Sequence, residues 1–167
     1  MEQKENIEIA PLQAAATGDP PLEILLVEDC AWDEELTLFA LRRGGLANAI
    51  HVVRDGAEAL DFLARSGRYA TRDGPDPGLV LLDLRLPKVS GLEVLRQLKS
   101  DPAAPGVRVV GLLSTRDDEN LADLHRLGVD GVLVKPPRFE EFMELAVEFG
   151  MQSRLLHGPR PERGTPA

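Results

Sequence analysis

Four positions carry residue types that could do chemistry. Asp83 closes the run "LVLLD" (79–83), and "LRLPKVSG" follows it. Glu28 and Asp29 follow "LEILLV" (22–27), and Lys135 follows "GVLV" (131–134) and precedes Pro136. A carboxylate at the edge of an apolar run is costly without a partner. Three of them together would repel one another and push one pKa up unless a cation joins them. A small hard dication answers that need. Mg²⁺ takes oxygen ligands, keeps several waters, and is satisfied by one or two carboxylates and a backbone carbonyl. A lysine at the same edge adds a mobile point charge for a phosphate oxygen. Such a set suits phosphoryl transfer, with the Asp83 carboxylate as nucleophile and an acyl phosphate as product. Mg²⁺ and Lys135 would neutralise the transferred group. Taken singly, each position has an ordinary reading as a turn residue, a helix cap or a surface Lys-Pro turn. The signal is their joint occurrence.

The elements that must position them alternate along the chain. Short apolar runs at 22–27, 49–53, 78–83, 107–113 and 131–134 read as strands. Helical patterns at 33–45, 56–67, 90–100, 117–128 and 138–156 lie between and after them. In the first helix Leu36, Phe39 and Ala40 share a predicted core face. In the second Ala57, Leu60 and Ala64 do, and in the last Phe139, Phe142, Met143, Ala146 and Phe149 do. Five strand–helix units predict an α/β fold: a doubly wound, five-stranded parallel sheet of flavodoxin-like type. Its strands are continuously apolar, as a sheet covered on both faces requires. Ligands of such sheets bind at the carboxyl ends of the strands, near the reversal of strand order. Glu28, Asp29, Asp83 and Lys135 fall at the ends of the first, third and fifth strands. "VEDCAWDEE" replaces the Gly-rich phosphate loop that a dinucleotide-binding fold would need. Residues 1–21 and the polar, Pro-rich C-terminus read as flexible tails around a domain at 22–150. The last helix is expected to extend past Phe149 to Leu155 and Leu156, so 151–167 reads as helix extension plus tail.

Composition narrows the partners. The 167-residue chain carries a formal charge of -9, which disfavours nucleic acid. One cysteine, Cys30, allows no intrachain disulfide. The opening segment lacks a signal-peptide pattern, and no run approaches the ~18 apolar residues of a membrane span. A cytoplasmic location is expected. His51, His125 and His157 are scattered outside ligand spacing.

With these residues in place, "LLVEDCAWDEELTLFAL", "VVRDGAEALDFL", "LVLLDLRLPKVSGLEVLRQLK" and "GVLVKPPRFEEF" resemble the successive motifs of the receiver domain of two-component response regulators. The resemblance runs from about residue 22 to 150. It is strongest to short stand-alone regulators paired with bacterial phytochrome-type histidine kinases. It implies that Asp83 accepts a phosphoryl group from the kinase's phosphohistidine and that Lys135 contacts that group. It also implies that Asp29, Asp83 and the backbone carbonyl of Arg85 hold Mg²⁺, with Glu28 acting mainly through water. The Lys135–Pro136 bond is cis in similar proteins. Similar regulators dimerise through their fourth and fifth helices, so a homodimer there is expected. The downstream protein target is left unnamed.

Two positions depart from the family's pattern. A Thr or Ser is expected at the end of the fourth strand, where counting from Asp83 to Lys135 without gaps places Leu113. A one-residue slip would make Ser114 the switch hydroxyl. A Tyr or Phe is expected three residues before the lysine, where Val132 stands. Arg85 and Thr115 occupy positions that tune hydrolysis in the family, and neither is a carboxylate or an amide, so slow autodephosphorylation is expected. Two function readings follow. One is a non-enzymatic, phosphorylation-dependent response regulator that signals through protein–protein contacts. The other is a phosphorylation-independent scaffold whose switch is degenerate at Leu113 and Val132. A phosphatase or mutase with an Asp nucleophile would carry a second acid two residues on, where Arg85 stands.

Overall fold

The computed structural model describes residues 18–102 and 106–159. Residues 1–17 and 160–167, which hold most of the two expected tails, lie outside the described residues. The elements run β1 (Ile24–Val27), α1 (Ala31–Arg43), β2 (Ile50–Val53), α2 (Gly56–Ala64), β3 (Leu79–Asp83), α3 (Gly91–Ser100), β4 (Arg108–Leu113), α4 (Leu121–Arg126), β5 (Gly131–Val134) and α5 (Phe139–Glu148). All neighbouring strands are parallel, in the order β2-β1-β3-β4-β5. This is the doubly wound flavodoxin-like fold that the alternation predicts. Strand order reverses between β1 and β3, which brings the ends carrying Glu28 and Asp83 side by side.

Each strand divides its side chains between two cores. Ile24, Leu26, Leu79, Leu81, Val110 and Leu112 pack with Leu41 of α1 and with Phe142 and Ala146 of α5. Leu25, Val27, Val80, Leu82, Val109 and Leu113 face Ala59 and Phe62 of α2, Val94, Leu95 and Leu98 of α3, and Leu124 of α4. That division is why the strands read as unbroken apolar runs. Local chemistry starts the helices on the second face. The Asp55 carboxylate accepts the Glu58 N–H at 2.7 Å and caps α2, and the Ser90 hydroxyl accepts the Glu93 N–H at 3.2 Å and caps α3. A Cβ at Gly91 would fall on the Asp83 carbonyl, so glycine there lets α3 begin directly against the end of β3.

Three expectations need correction. In α1 the inward positions are Thr37 and Leu41, with Leu38 packed against the core, while Phe39 is 61% exposed. In α2 they are Gly56, Ala59 and Phe62, and Ala64 is exposed. Both helices offer overlapping apolar stripes, and docking on the sheet selects one. In α2 the selected stripe buries its largest side chain, Phe62, beneath the Arg72 guanidinium at 4.2 Å. The predicted first turn of α4 is instead a turn in which Asp118 accepts the Asn120 N–H at 2.9 Å, so the helix starts at Leu121. The face predicted for α5 is the one that packs: Phe142 and Ala146 are buried, with Phe139, Met143 and Phe149 against the same core.

The last helix is also shorter than expected. It stops at Glu148, Gly150 adopts a left-handed φ of 69°, and the Met151 N–H closes on the Ala146 carbonyl at 2.8 Å. A single 3-10 turn (Gln152–Arg154) follows. The chain then returns beneath the sheet, burying Leu155 completely among Leu22, Ile24 and Phe142. Buried Asn48 fastens this return. Its amide donates to the carbonyls of Leu22 and Arg154 at 2.8 and 3.0 Å, and its side-chain oxygen accepts the Leu156 N–H at 2.7 Å. Residues 151–158 are therefore part of the folded domain.

Leu155→Ala is expected to lower stability by about 3 kcal/mol in chemical denaturation, because it empties a buried leucine site. A second prediction concerns Asp130, which precedes β5. Burial alone would raise its pKa, but the Lys99 ammonium at 2.6 Å and the Val109 N–H at 2.8 Å outweigh burial and hold it below the usual range. A depressed folded pKa stabilises above the ordinary carboxylate pKa and is lost as pH falls through the folded value. Asp130→Asn should therefore be about 1–2 kcal/mol less stable than wild type at neutral pH. The gap should close in denaturation curves taken at progressively acid pH.

Candidate functional site

The site is built at the carboxyl ends of β1, β3 and β5. The pairings Val27↔Leu82 and Asp83↔Leu112 place the ends of β1, β3 and β4 level with one another. Glu28, Asp29 and Asp83 each bring one carboxylate oxygen to within 4.8 Å of the others. Glu28 is fully buried, Asp83 nearly so, and Asp29 is exposed. The two buried acids are thus fixed from below by their strands, and the third faces solvent at the mouth.

Lys135 reaches over this edge from the end of β5. Its backbone N–H donates to the Leu113 carbonyl at 2.8 Å, which extends the β4–β5 ladder by one residue and fixes where its side chain begins. The Lys135–Pro136 peptide is cis. The Lys135 ammonium lies 3.2 Å from Glu28 Oε2 and 3.4 Å from Asp83 Oδ2. It also donates to Asp33 Oδ2 at 2.9 Å. Asp33, in the first turn of α1, belongs to the constellation although the strand-end pattern did not single it out. The signal was present in "VEDCAWDEE": an acid placed just inside the helix that follows the acidic pair.

Electrostatics at this edge are short of positive charge. Burial pushes the Glu28 carboxyl up to about 7, and its contact with Asp83 adds to that rise, against the opposing pull of Lys135. Burial works against the Lys135 ammonium too. There the Asp33 hydrogen bond and the charges of Asp83 and Glu28 prevail and hold it above the usual lysine range. One ammonium faces the three carboxylates of Glu28, Asp33 and Asp83, with that of Asp29 beside them, so the donor set is oxygen-rich, hard and under-neutralised. Those are the properties a small dication requires, and Glu28, Asp29 and Asp83 are the residues able to hold one.

The remaining predicted positions sit around this centre. The Arg85 N–H donates to Asp83 Oδ1 at 3.3 Å, and its side chain is exposed. Leu113 is the last residue of β4, is buried, and pairs with Val134. Ser114 lies beyond the strand with an exposed side chain, and Thr115 is exposed as well. Leu113 and Val132 line one cavity of about 420 Å³ between α4, β5 and α5, with Leu121 and Leu145 opposite. No side chain at either position can donate a hydrogen bond.

A five-stranded parallel sheet with an acidic pair after β1, an aspartate closing β3 and a lysine after β5 is the organisation of a receiver domain. The chain belongs to the response regulator receiver domain family, which matches residues 24–147. Three relatives are informative. The structure of the bacteriophytochrome response regulator AtBRR is 46% identical, with a TM-score of 0.73, over 80% of this chain and 95% of that one. Response regulator Rcp1 from Synechocystis sp. is 33% identical over 128 residues, 77% of this chain and 86% of its own length. A Mn(2+)-bound form of Rcp1 superposes with a TM-score of 0.64 at 32% identity, covering 81% of this chain and 99% of that one. The phosphorylated cyanobacterial phytochrome response regulator RcpA gives a TM-score of 0.63 at 32% identity, over 79% of this chain and 91% of that one. The chain is thus a receiver-domain protein of two-component signalling, related to stand-alone regulators of phytochrome type. No helix among the described residues is long and apolar enough to cross a membrane.

If the acidic edge binds a dication, Mg²⁺ titration should raise thermal stability and change the emission of Trp32, the single tryptophan, which stands three residues after Asp29. Asp29→Ala should weaken the apparent Mg²⁺ affinity at least tenfold, or about 1.4 kcal/mol. An equal affinity in the variant would remove Asp29 from the ligand set.

Proposed function

We propose that the protein is a phosphorylation-dependent response regulator that accepts a phosphoryl group on Asp83 from a sensor histidine kinase of phytochrome type. The observation that carries this reading is the buried aspartate at the end of β3, flanked by Glu28 and Asp29 and faced by Lys135. An Asp83 carboxylate oxygen attacks phosphorus, the P–N bond of the phosphohistidine breaks, and its electron pair stays on the imidazole nitrogen. A Mg²⁺ ion held by Asp29, Asp83 and the Arg85 carbonyl, with Glu28 acting through water, would supply charge neutralisation for the phosphoryl oxygens. Lys135 donates to the oxygens of the bound phosphoryl group, and the backbone at Arg85 holds the acceptor carboxylate in place. That Rcp1 is known in a Mn(2+)-bound form and RcpA in a phosphorylated form supports this reading. The reading makes the protein a cytoplasmic signalling component without an enzymatic output. Its partners are a kinase and a protein target, not nucleic acid or membrane.

The means of switching is the second part of the proposal. Leu113 and Val132 stand where the family's hydroxyl and ring are expected, and Ser114 points to solvent. The phosphoryl signal therefore leaves by a route other than a hydroxyl–aromatic pair. A homodimer through the α4 and α5 faces would place the cavity beside Leu113 and Val132 near the contact. The same two residues favour the rival reading, a scaffold that works without phosphorylation.

Incubation with a phytochrome-type kinase and labelled ATP should label wild type and leave Asp83→Asn unlabelled. Persistent label in Asp83→Asn would overturn the site. Arg85 and Thr115 offer neither carboxylate nor amide to a hydrolytic water, so the acyl phosphate should last far longer than seconds. Beryllofluoride with Mg²⁺ then decides between regulator and scaffold, since a scaffold's self-association and partner binding would not change.

A further inference from the structure

Lys135 has more acceptors than its expected role needs. Its ammonium carries three N–H donors. It donates to Asp33 at 2.9 Å and to Glu28 at 3.2 Å, while Asp83, the acceptor itself, lies farthest at 3.4 Å, beyond the usual N–H···O range. The lysine is therefore engaged on both sides of Asp83 but stands back from it.

We propose that Asp33 is a positioning residue for Lys135: its carboxylate holds the ammonium off Asp83 and leaves the Asp83 oxygen open to a phosphoryl donor. The inference rests on the reading of Asp83 as phosphoacceptor. Asp33 is suited to the task by its place. It is the third residue of α1, where the helix N-terminus favours an acid. It meets Lys135 at 2.9 Å beside a small cavity of about 70 Å³ that both line with Leu36 and Pro136. Its side chain is one-third exposed and that of Lys135 only 13%. The pair thus joins a nearly buried ammonium to a partly solvent-exposed carboxylate. Among the described residues, Glu28 is the other carboxylate that accepts from the ammonium, at the longer distance of 3.2 Å. The end of β4 offers only the Leu113 carbonyl, which already accepts the Lys135 backbone N–H.

Without the Asp33 carboxylate the ammonium keeps two acids, Glu28 and Asp83, and moves onto them. A charge-assisted hydrogen bond to Asp83 would occupy a lone pair of the nucleophile and lower its reactivity. Asp33 also ties the lysine to α1. When a phosphoryl group draws Lys135 toward itself, the first turn of α1 loses or shares its partner, next to the 66%-exposed Trp32. That gives the chain a link from the acceptor to α1 that needs no hydroxyl at position 113.

The test is the rate of Asp83 labelling by phosphoramidate with Mg²⁺, followed by intact mass on the full chain. Asp33→Ala should label about fivefold more slowly, the scale of one partly exposed ion-pair hydrogen bond, and Asp33→Glu should recover most of the rate. In a Lys135→Met background, Asp33→Ala should cause no further slowing, because a residue acting through the lysine has nothing left to act on. An unchanged or faster rate in Asp33→Ala, or equal slowing in the Lys135→Met background, overturns the proposal and leaves the Asp83 assignment standing. An unlabelled wild type, or label on Asp83→Asn, overturns both. If melting curves find Asp33→Ala unfolded, Asp33→Asn is expected to give the same direction of change in the same cycle.

Discussion

Four carboxylates and one ammonium meet at the end of a parallel sheet, and that excess of negative charge organises the rest of the site. Folding brings Glu28, Asp29 and Asp83 within 4.8 Å of one another, and Glu28 responds with a carboxyl pushed up to about 7. An apolar interior would not retain such a group unless the chain gained something from it. The arrangement is one of standing demand for positive charge. Lys135 meets part of it, a dication would meet more, and the transferred group would be held by both.

The sheet is what makes this concentration of charge sustainable. Two apolar cores, one on each face, hold β1 and β3 in a register that keeps the two buried acids, Glu28 and Asp83, side by side. The repulsion among the acids of the site is carried by the strands beneath it. The lower end of the sheet is closed separately, by the return of residues 151–158 beneath Leu22 and Ile24 and the three hydrogen bonds of Asn48. Stability and charge are thus placed at opposite ends of the strands.

Two positions beside the site depart from the family's expectation in a consistent way. Leu113 and Val132 line one cavity, so the loss of a hydroxyl and the loss of a ring are a single alteration of one wall. On the opposite side, Asp33 ties Lys135 to α1, whose outer surface carries the exposed Trp32 and Phe39. The site therefore has a quiet wall toward α4 and α5 and a charged link toward α1.

Much of this was legible in the sequence, because strand–helix alternation implies a parallel sheet covered on both faces, and strand ends are where ligands meet. The apolar runs fixed the cores, and the acids and lysine just past three of those runs named the site. Sequence does not choose among overlapping apolar stripes: local period turns Phe39 and Ala64 inward, yet both face solvent. It also carried the last helix through Gly150, because Leu155 and Leu156 continue an apolar pattern; only the closing sheet decided that Leu155 be buried from below. By local pattern Asp33 is one acid among several at a helix start. Its role depends on the distance between α1 and the loop after β5, elements a hundred residues apart. Residue type and local period determine which groups stand at the end of a strand. Which of them meet, and at what distance, is decided by packing between elements that no local pattern records.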